Sequence, residues 1–266
     1  MLRIVKIDDI NDSRISLYKD LRFTPKTHQD NKLFIAEGRR LVRKLLNSDI
    51  LIYSIFATED FFSENQYQIS NRIEENTGLY SAEKKIMEQI VGFRLHTGVM
   101  AMAFQPADVR PVDMKGIIVA TNGINNAENI GSIVRNMVGF GIENIIVDRK
   151  SVSPYLRRAV RVSMGSVFFS NVCHSEDLVN DINFLKHRGY KIISIEISEN
   201  SKFLNTFRFD KMSLIIFGSE DYGIEKEILE ISDVVIKIPM SDKIDSLNVS
   251  SSSAIVFYQL SEQLNE

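Results

Sequence analysis

The sequence predicts an α/β protein in two parts, the second an open, mostly parallel sheet. Three observations carry this reading. Past residue 108, short Val/Ile/Phe-rich runs alternate with helix-like segments: GIIVAT, NIIVD, VFFSNV, YKIISIEI, LIIFG and VVIKIP. Runs that are apolar at nearly every position suit strands buried on both faces of a parallel sheet. The stretch AFQPADVRPVDM holds two of the five prolines, Pro106 and Pro111, and so reads as an extended linker. A chain of 266 residues is long enough for two modest domains, each with a real core. The expected division is 1–107, a small mixed α/β domain with an N-terminal extension, and 108–266, the parallel-sheet domain.

In the first part, FIAEGRRLVRKLLNS is expected to be helical, with Ile35, Leu41, Val42, Leu45 and Leu46 on one face. LIYSIFAT is a strand candidate. SAEKKIMEQIVG is a second helix with Ser81 as its N-cap, and VMAMAF is a strand ahead of the linker. In the second part the helix candidates are IGSIVRNMVGFG, SPYLRRAVRVSMG, EDLVNDINFLKHRG, GIEKEILE and SLNVSSSSAIVFYQLSEQL. An open sheet of this kind takes its ligands outside the carboxyl ends of its strands.

Composition excludes several classes. Hydrophobic residues at 44% and charged residues at 25% are ordinary for a soluble globular chain, so a disordered, collagenous or coiled-coil protein is excluded. The single cysteine, Cys173, rules out a disulfide framework and fits a reducing, cytoplasmic compartment. No apolar run approaches the roughly 18 residues of a membrane span, and the first residues have no stretch suited to a secretory signal. His28, His96, His174 and His187 lack metal-ligand spacing, so no metal is expected, and adjacent Cys173 and His174 read as structural. Net charge is −3, with 16 Lys/Arg against 15 Asp/Glu up to Arg110 and 16 against 20 beyond. Contact with a nucleic acid therefore has to use local patches, such as Arg39, Arg40, Arg43 and Lys44, or Arg157, Arg158 and Arg161.

Three loops that follow apolar strands are rich in Gly, Asn and Ser: TNGINNAENIGSIVRN, IIFGSEDYGIEKEI and IPMSDKIDSLNVSSSSA. The common nucleotide and hydrolase signatures are missing. No G-x-G-x-x-G follows a strand, and no Walker loop, G-x-S-x-G or H-E-x-x-H occurs.

Asn129-x-Gly131 with Arg135, then Gly218-x-Glu220 with Gly223, then IPM followed by SLNVS, resemble the three motifs of the SpoU/TrmH class of SPOUT RNA methyltransferases. The resemblance covers most of residues 116–264, and FIAEGRRLVRKLL and GVMAMAF match the family's substrate-binding domain more loosely. It implies a C-terminal domain tied in a trefoil knot, S-adenosylmethionine bound in that knot, a homodimer, and an RNA substrate, rRNA or tRNA. The activity implied is methyl transfer to a ribose 2′-hydroxyl. The alternative is a non-catalytic RNA-binding or ribosome-associated protein that retains the fold. A base methyltransferase is less favoured. By the resemblance, Thr121, Gly218, Ile238, Met240 and Leu247 bind the cofactor, and Arg135, Asn129, Glu220, Ser246 and Asn248 serve catalysis. The resemblance implies for Arg135 the role proposed for the family's Arg, assisting deprotonation. An Arg side chain stays protonated, so stabilising a forming alkoxide or binding phosphate suits it better. The sequence departs from the family at Asn126-Ala127, where Asp-Pro is common, at Asp242 in place of Gly, and in the second motif, which reads Gly-Ser-Glu-Asp-Tyr-Gly.

Overall fold

The structure is a computed structural model that describes residues 2–19, 21 and 24–264. In chain order, β1 (Val5–Lys6), α1 (Lys26–Asp30), β2 (Leu33–Glu37), α2 (Arg39–Leu46) and β3 (Ile52–Ala57) come first. Then follow α3 (Glu59–Glu64), α4 (Gln66–Arg72), β4 (Gly78–Ser81), α5 (Lys84–Val91) and β5 (Val99–Phe104). The second half holds β6 (Ile118–Asn122), α6 (Ala127–Gly139), β7 (Asn144–Asp148), α7 (Arg157–Val162), β8 (Asn171–Ser175) and α8 (Leu178–His187). It closes with β9 (Lys191–Ile195), β10 (Lys202–Phe203), β11 (Ser213–Gly218), α9 (Lys226–Ile231), β12 (Val234–Lys237) and α10 (Val249–Leu264). The chain divides into two units, Met1–Pro106 with Tyr155–Phe168, and Ala107–Pro154 with Phe169–Glu266.

The first unit is built on a mixed sheet of order β1-β4-β3-β5-β2, in which β5 runs antiparallel to both β3 and β2. FIAEG is a strand here, not the start of a helix. Leu33–Glu37 pairs residue for residue with Phe104–Met100, and Gly38, at φ +102°, makes the turn that lets α2 begin at Arg39. Only Leu41, Val42, Leu45 and Leu46 belong to the helical stripe, and all four are buried. Ser81 likewise ends β4, with its carbonyl accepting from Ile7 N–H at 2.7 Å, and Glu83 stands at the start of α5. The basic residues of α2 are largely tied up within this unit. Arg39 pairs with Asp60 and Glu64, Arg43 reaches the same Glu64 at 3.1 Å, and Lys44 donates to the Met164 carbonyl at 3.0 Å.

The second unit is a seven-stranded parallel sheet of order β10-β12-β9-β11-β6-β7-β8. Ile118, Val119, Ala120, Ile145, Ile146, Ile192, Ile193, Leu214, Ile215 and Ile216 are all fully buried. That explains why these strands read as unbroken apolar runs. VFFSNV is not one strand: Ser166–Phe169 forms a 3-10 turn after Met164 and Gly165, both at positive φ, and β8 begins only at Asn171. The chain runs outward through β6, β7 and β8, then returns to β9, and β11 is inserted between β9 and β6. Helices α6 and α10 pack together because small residues open α10. Asn136 on α6 donates to the Ser250 carbonyl at 2.8 Å and to Ser253 Oγ at 2.9 Å, and Ser253 is fully buried. Cys173 is buried in this core, which pushes its thiol up to about 12.

Arg157 illustrates how a basic residue is absorbed by packing. Its guanidinium pairs with Glu37 at 2.6 Å, where the Glu37 side chain is only 7% exposed, and stacks 4.2 Å from the Phe93 ring centre. Arg157→Ala leaves that carboxylate buried and unpaired and is expected to cost about 2–3 kcal/mol. Urea unfolding of the full chain measures it, and a loss below about 0.5 kcal/mol would show that the pair is effectively solvated.

Candidate functional site

Polar side chains appear where the buried strands end. Asn122 closes β6, Asp148 closes β7, and Glu196 follows β9. Asp148 is buried, and its carboxylate accepts from Gly123 N–H at 3.0 Å and Ser151 N–H at 2.9 Å. Asn122, also buried, accepts from Glu225 N–H at 2.9 Å and donates to Glu225 Oε2 at 3.0 Å and Asp148 at 3.3 Å. Lys150 pairs with the same Glu225. The Lys150 and Asn122 hydrogen bonds hold the Glu225 carboxyl below its ordinary range. This network anchors the turn after β6 to the start of α9.

A cleft of about 330 Å³ opens at the carboxyl ends of the neighbouring strands β12, β9 and β11. Ile195, Ile197, Phe217, Ile236, Ile238 and Leu247 give it apolar walls. Glu196, Glu220 and Lys237 supply its charges. The loop after β11 is closed on itself: Ser219 N–H donates to Gly223 carbonyl at 3.1 Å, and Gly223 N–H returns the bond at 2.9 Å. Gly218 must be glycine for this loop, because a Cβ there would lie 2.4 Å from the Gly223 carbonyl carbon. Gly223 sits at φ +68°, and its added Cβ would lie 2.4 Å from Glu196 Oε2. Glu196 in turn accepts from Ile224 N–H at 2.9 Å.

The structure brings most of the expected residues to this cleft. Gly218, Glu220, Ile238, Met240, Ser246, Leu247 and Asn248 all line it. Asn129 does not, but it is joined to it. The Asn248 amide donates to Asn129 Oδ1 at 3.2 Å and to Glu220, while Asn248 Oδ1 accepts from Ser250 N–H at 2.9 Å and caps α10. Thr121 lies apart: it is fully buried in β6 between Phe217 and Val147, off the cleft wall. Arg135 is exposed on α6, outside the cleft lining, and has no ion pair among the described residues. Glu220 bonds Asn248, and it is Glu225 that stands at the start of α9. Asp242 is exposed in the loop between Met240 and Ser246.

Sequence reasoning missed Glu196, Lys237, Asn122 and Asp148. The signal available was positional: three of them are the first polar residue to break or follow an apolar strand at its carboxyl end. Among the described residues no group of three His, Cys, Asp or Glu side chains could hold a metal ion. No helix among them is long and apolar enough to cross a membrane.

An open parallel sheet with an apolar-walled cleft at the carboxyl ends of adjacent strands, edged by carboxylates, defines an α/β protein with a ligand-sized site where such sheets hold their ligands. The chain belongs to the SpoU rRNA Methylase family, which matches residues 116–258, and so stands among the RNA methyltransferases. It is 28% identical over 268 residues to an uncharacterized tRNA/rRNA methyltransferase of Mycobacterium bovis, covering 97% of this chain and 92% of that one. The fold is shared with the AdoMet-bound rRNA methyltransferase from Sinorhizobium meliloti, at a TM-score of 0.80 and 18% identity over 96% of this chain and 97% of that one. It is shared also with an RNA 2′-O ribose methyltransferase, at a TM-score of 0.78 and 20% identity over 99% and 100% of the two chains. At these identities the structural likeness is one of fold.

Two outcomes follow from the geometry. Gly218→Ala is expected to cost about 1–3 kcal/mol, because backbone rather than a side chain must give way. It should also abolish ligand binding in the cleft, as read by calorimetry, and wild-type affinity would show that the loop tolerates displacement. Glu225 has a depressed carboxyl, so its contribution is present above the unfolded carboxylate range and is lost as pH falls through its folded value. Lys150→Met is therefore expected to cost up to about 1 kcal/mol at pH 7 and progressively less as pH falls through the depressed range of the folded Glu225 carboxyl. A cost that grew on acidification would contradict the sign.

Proposed function

We propose that the protein transfers a methyl group from S-adenosylmethionine to a ribose 2′-hydroxyl of tRNA or rRNA. The observation that carries this reading is the junction at Asn248, which joins the Asn129 helix, the Glu220 loop and the start of α10 beside one cleft. The cleft suits the cofactor chemically. Ile195, Phe217, Ile236, Ile238 and Leu247 offer apolar surface for a flat base, and Glu196 and Glu220 offer carboxylates to a ligand that carries a cationic sulfur. When bound, S-adenosylmethionine supplies an electrophilic methyl group already activated by its sulfonium charge.

The chain's own residues then have to prepare the acceptor. A sugar hydroxyl is a poor nucleophile until its proton is relieved, so alignment and charge stabilisation are the main tasks. Gly218, Ile238, Met240 and Leu247 form the cofactor side of the cleft, and Thr121 supports it from behind, within the sheet. Glu220 and Asn129 are held in place by Asn248, and Ser246 lies on the same wall. Arg135 keeps its charge unpaired among the described residues, which leaves its planar fork available for an RNA phosphate or a forming alkoxide.

The wider reading includes a cytoplasmic homodimer and the knotted chain path that the family resemblance implies. A partner surface is supported by apolar side chains left outside on α10, where Ile255 is 39% and Tyr258 56% exposed, with Phe140 packed edge-on against Tyr258. The first domain's role is RNA selection. With Arg39 and Arg43 engaged by Asp60 and Glu64, Arg40 rather than the whole α2 cluster is the residue left to meet phosphate.

The test is mass spectrometry of nucleosides from tRNA and rRNA incubated with the protein and trideuteromethyl-labelled S-adenosylmethionine. Label on a ribose 2′-oxygen is expected. Label on a base, or cofactor binding with no transfer to either RNA, would overturn the reading, the latter in favour of a non-catalytic RNA-binding protein. Arg135→Ala is expected to lower transfer by about 10²–10³ with cofactor affinity within a few-fold, and Arg135→Lys to do little better. Near-wild-type turnover in either variant would remove Arg135 from the mechanism.

A further inference from the structure

The loop after β11 carries a side chain that nothing above uses. Tyr222 is 90% exposed, the highest value among the large hydrophobic residues described. It is not a ring on a loose segment. Ser219 and Gly223 close the loop by two mutual backbone bonds, Ser219 Oγ accepts from Asp221 N–H at 3.2 Å, and Glu196 fixes the following Ile224 N–H. Tyr222 is therefore the tip of a pre-organised loop. Its neighbours Ser219, Glu220 and Gly223 line the cleft, so Tyr222 is carried by a cleft-lining loop with its ring in solvent. Tyr67, the other strongly exposed aromatic at 80%, lies on helix α4 of the first unit, next to Gln66 in a separate cavity that carries none of the family's motif residues.

The chemistry of the tip selects among partners. Glu220 and Asp221 precede the ring, so the loop is acidic and repels a phosphate backbone. What an exposed ring beside carboxylates can receive is the face of a base, with acceptors close by for its amino groups. A ribose whose 2′-hydroxyl enters a cleft belongs to a nucleotide drawn away from its neighbours, and RNA-reading proteins compensate lost base stacking with aromatic side chains.

We propose that Tyr222 is a stacking platform for a nucleobase of the RNA substrate, at or beside the nucleotide whose ribose enters the cleft. This rests on the function proposed above and adds to it a substrate class: unpaired or splayed nucleotides rather than continuous duplex.

The chain contains no tryptophan, so Tyr222→Trp places its only indole at the loop tip. The probes are deproteinised total tRNA and total rRNA from cells lacking the protein. Indole fluorescence of the full-length Tyr222→Trp protein is expected to be quenched on adding the RNA that is methylated. Tyr222→Ala is expected to raise KM for that RNA about 10- to 100-fold, with S-adenosylmethionine affinity by calorimetry unchanged. Tyr222→Phe should retain the wild-type KM, because the ring and not the hydroxyl stacks. An unchanged KM in Tyr222→Ala, a Tyr222→Phe as impaired as Tyr222→Ala, or methylation without quenching would each overturn the stacking role while leaving methyl transfer standing. Quenching by RNA that never receives a methyl group would do the reverse, supporting the platform and overturning the proposed function. Absence of RNA binding altogether would overturn both.

Discussion

One side-chain amide, that of Asn248, joins residues 119 and 28 positions away in sequence. Its NH₂ group faces two acceptors, Asn129 Oδ1 and Glu220 Oε1, while its oxygen receives the backbone of Ser250. Only an amide has donors on one side and an acceptor on the other at this size. An aspartate would set its charge against Glu220, and a leucine would hand the exposed Glu220 carboxylate and the first turn of α10 to water and leave Oδ1 of the buried Asn129 without this donor. The arrangement of three loops around the cleft depends on this junction.

The junction works because the sheet beneath it is rigid. Its central strands are mostly apolar and buried, with only small polar residues such as Thr121, Ser194 and Ser213 inside, and the charged and amide side chains gather where the strands end. There they satisfy one another. Asn122 and Asp148 hold the turn after β6, Glu196 holds Ile224, and the missing Cβ atoms of Gly218 and Gly223 let the loop fold onto itself. Hydrogen bonds of this kind are each modest, but leaving one partner buried and unmet costs more than the bond gains. That asymmetry makes the loops a coupled set. The same logic explains Arg157, whose position follows from a buried Glu37 and an aromatic face.

Much of this was legible in the residues. Apolar runs marked β6, β7, β9, β11 and β12, since burial on both faces leaves no alternation to obscure them. The three Gly/Asn/Ser-rich loops were found because glycine and asparagine are needed where a chain must turn sharply and bond its own backbone. Pairing partners were not legible. FIAEG satisfied a helical pattern until β5 claimed it as a strand, and Ser81 looked like a cap until β4 formed around it. Nor could the sequence show that Asp60 and Glu64 would meet Arg39 and Arg43, which changes a basic cluster into a set of internal pairs. Glu196 stayed hidden for a similar reason: a lone glutamate after a strand acquires meaning only when Ile224 arrives beside it.

The most direct test of the coupled-loop account is a double-mutant cycle between Asn129→Ala and Asn248→Ala, read by urea unfolding and by calorimetric titration with S-adenosylmethionine. If Asn248 joins the two loops, each single variant weakens both readouts, and the double variant is less impaired than their sum, with an interaction energy of about 0.5–3 kcal/mol. Strict additivity in both measurements would show that the two asparagines act independently, and the junction would then not be what holds the site together.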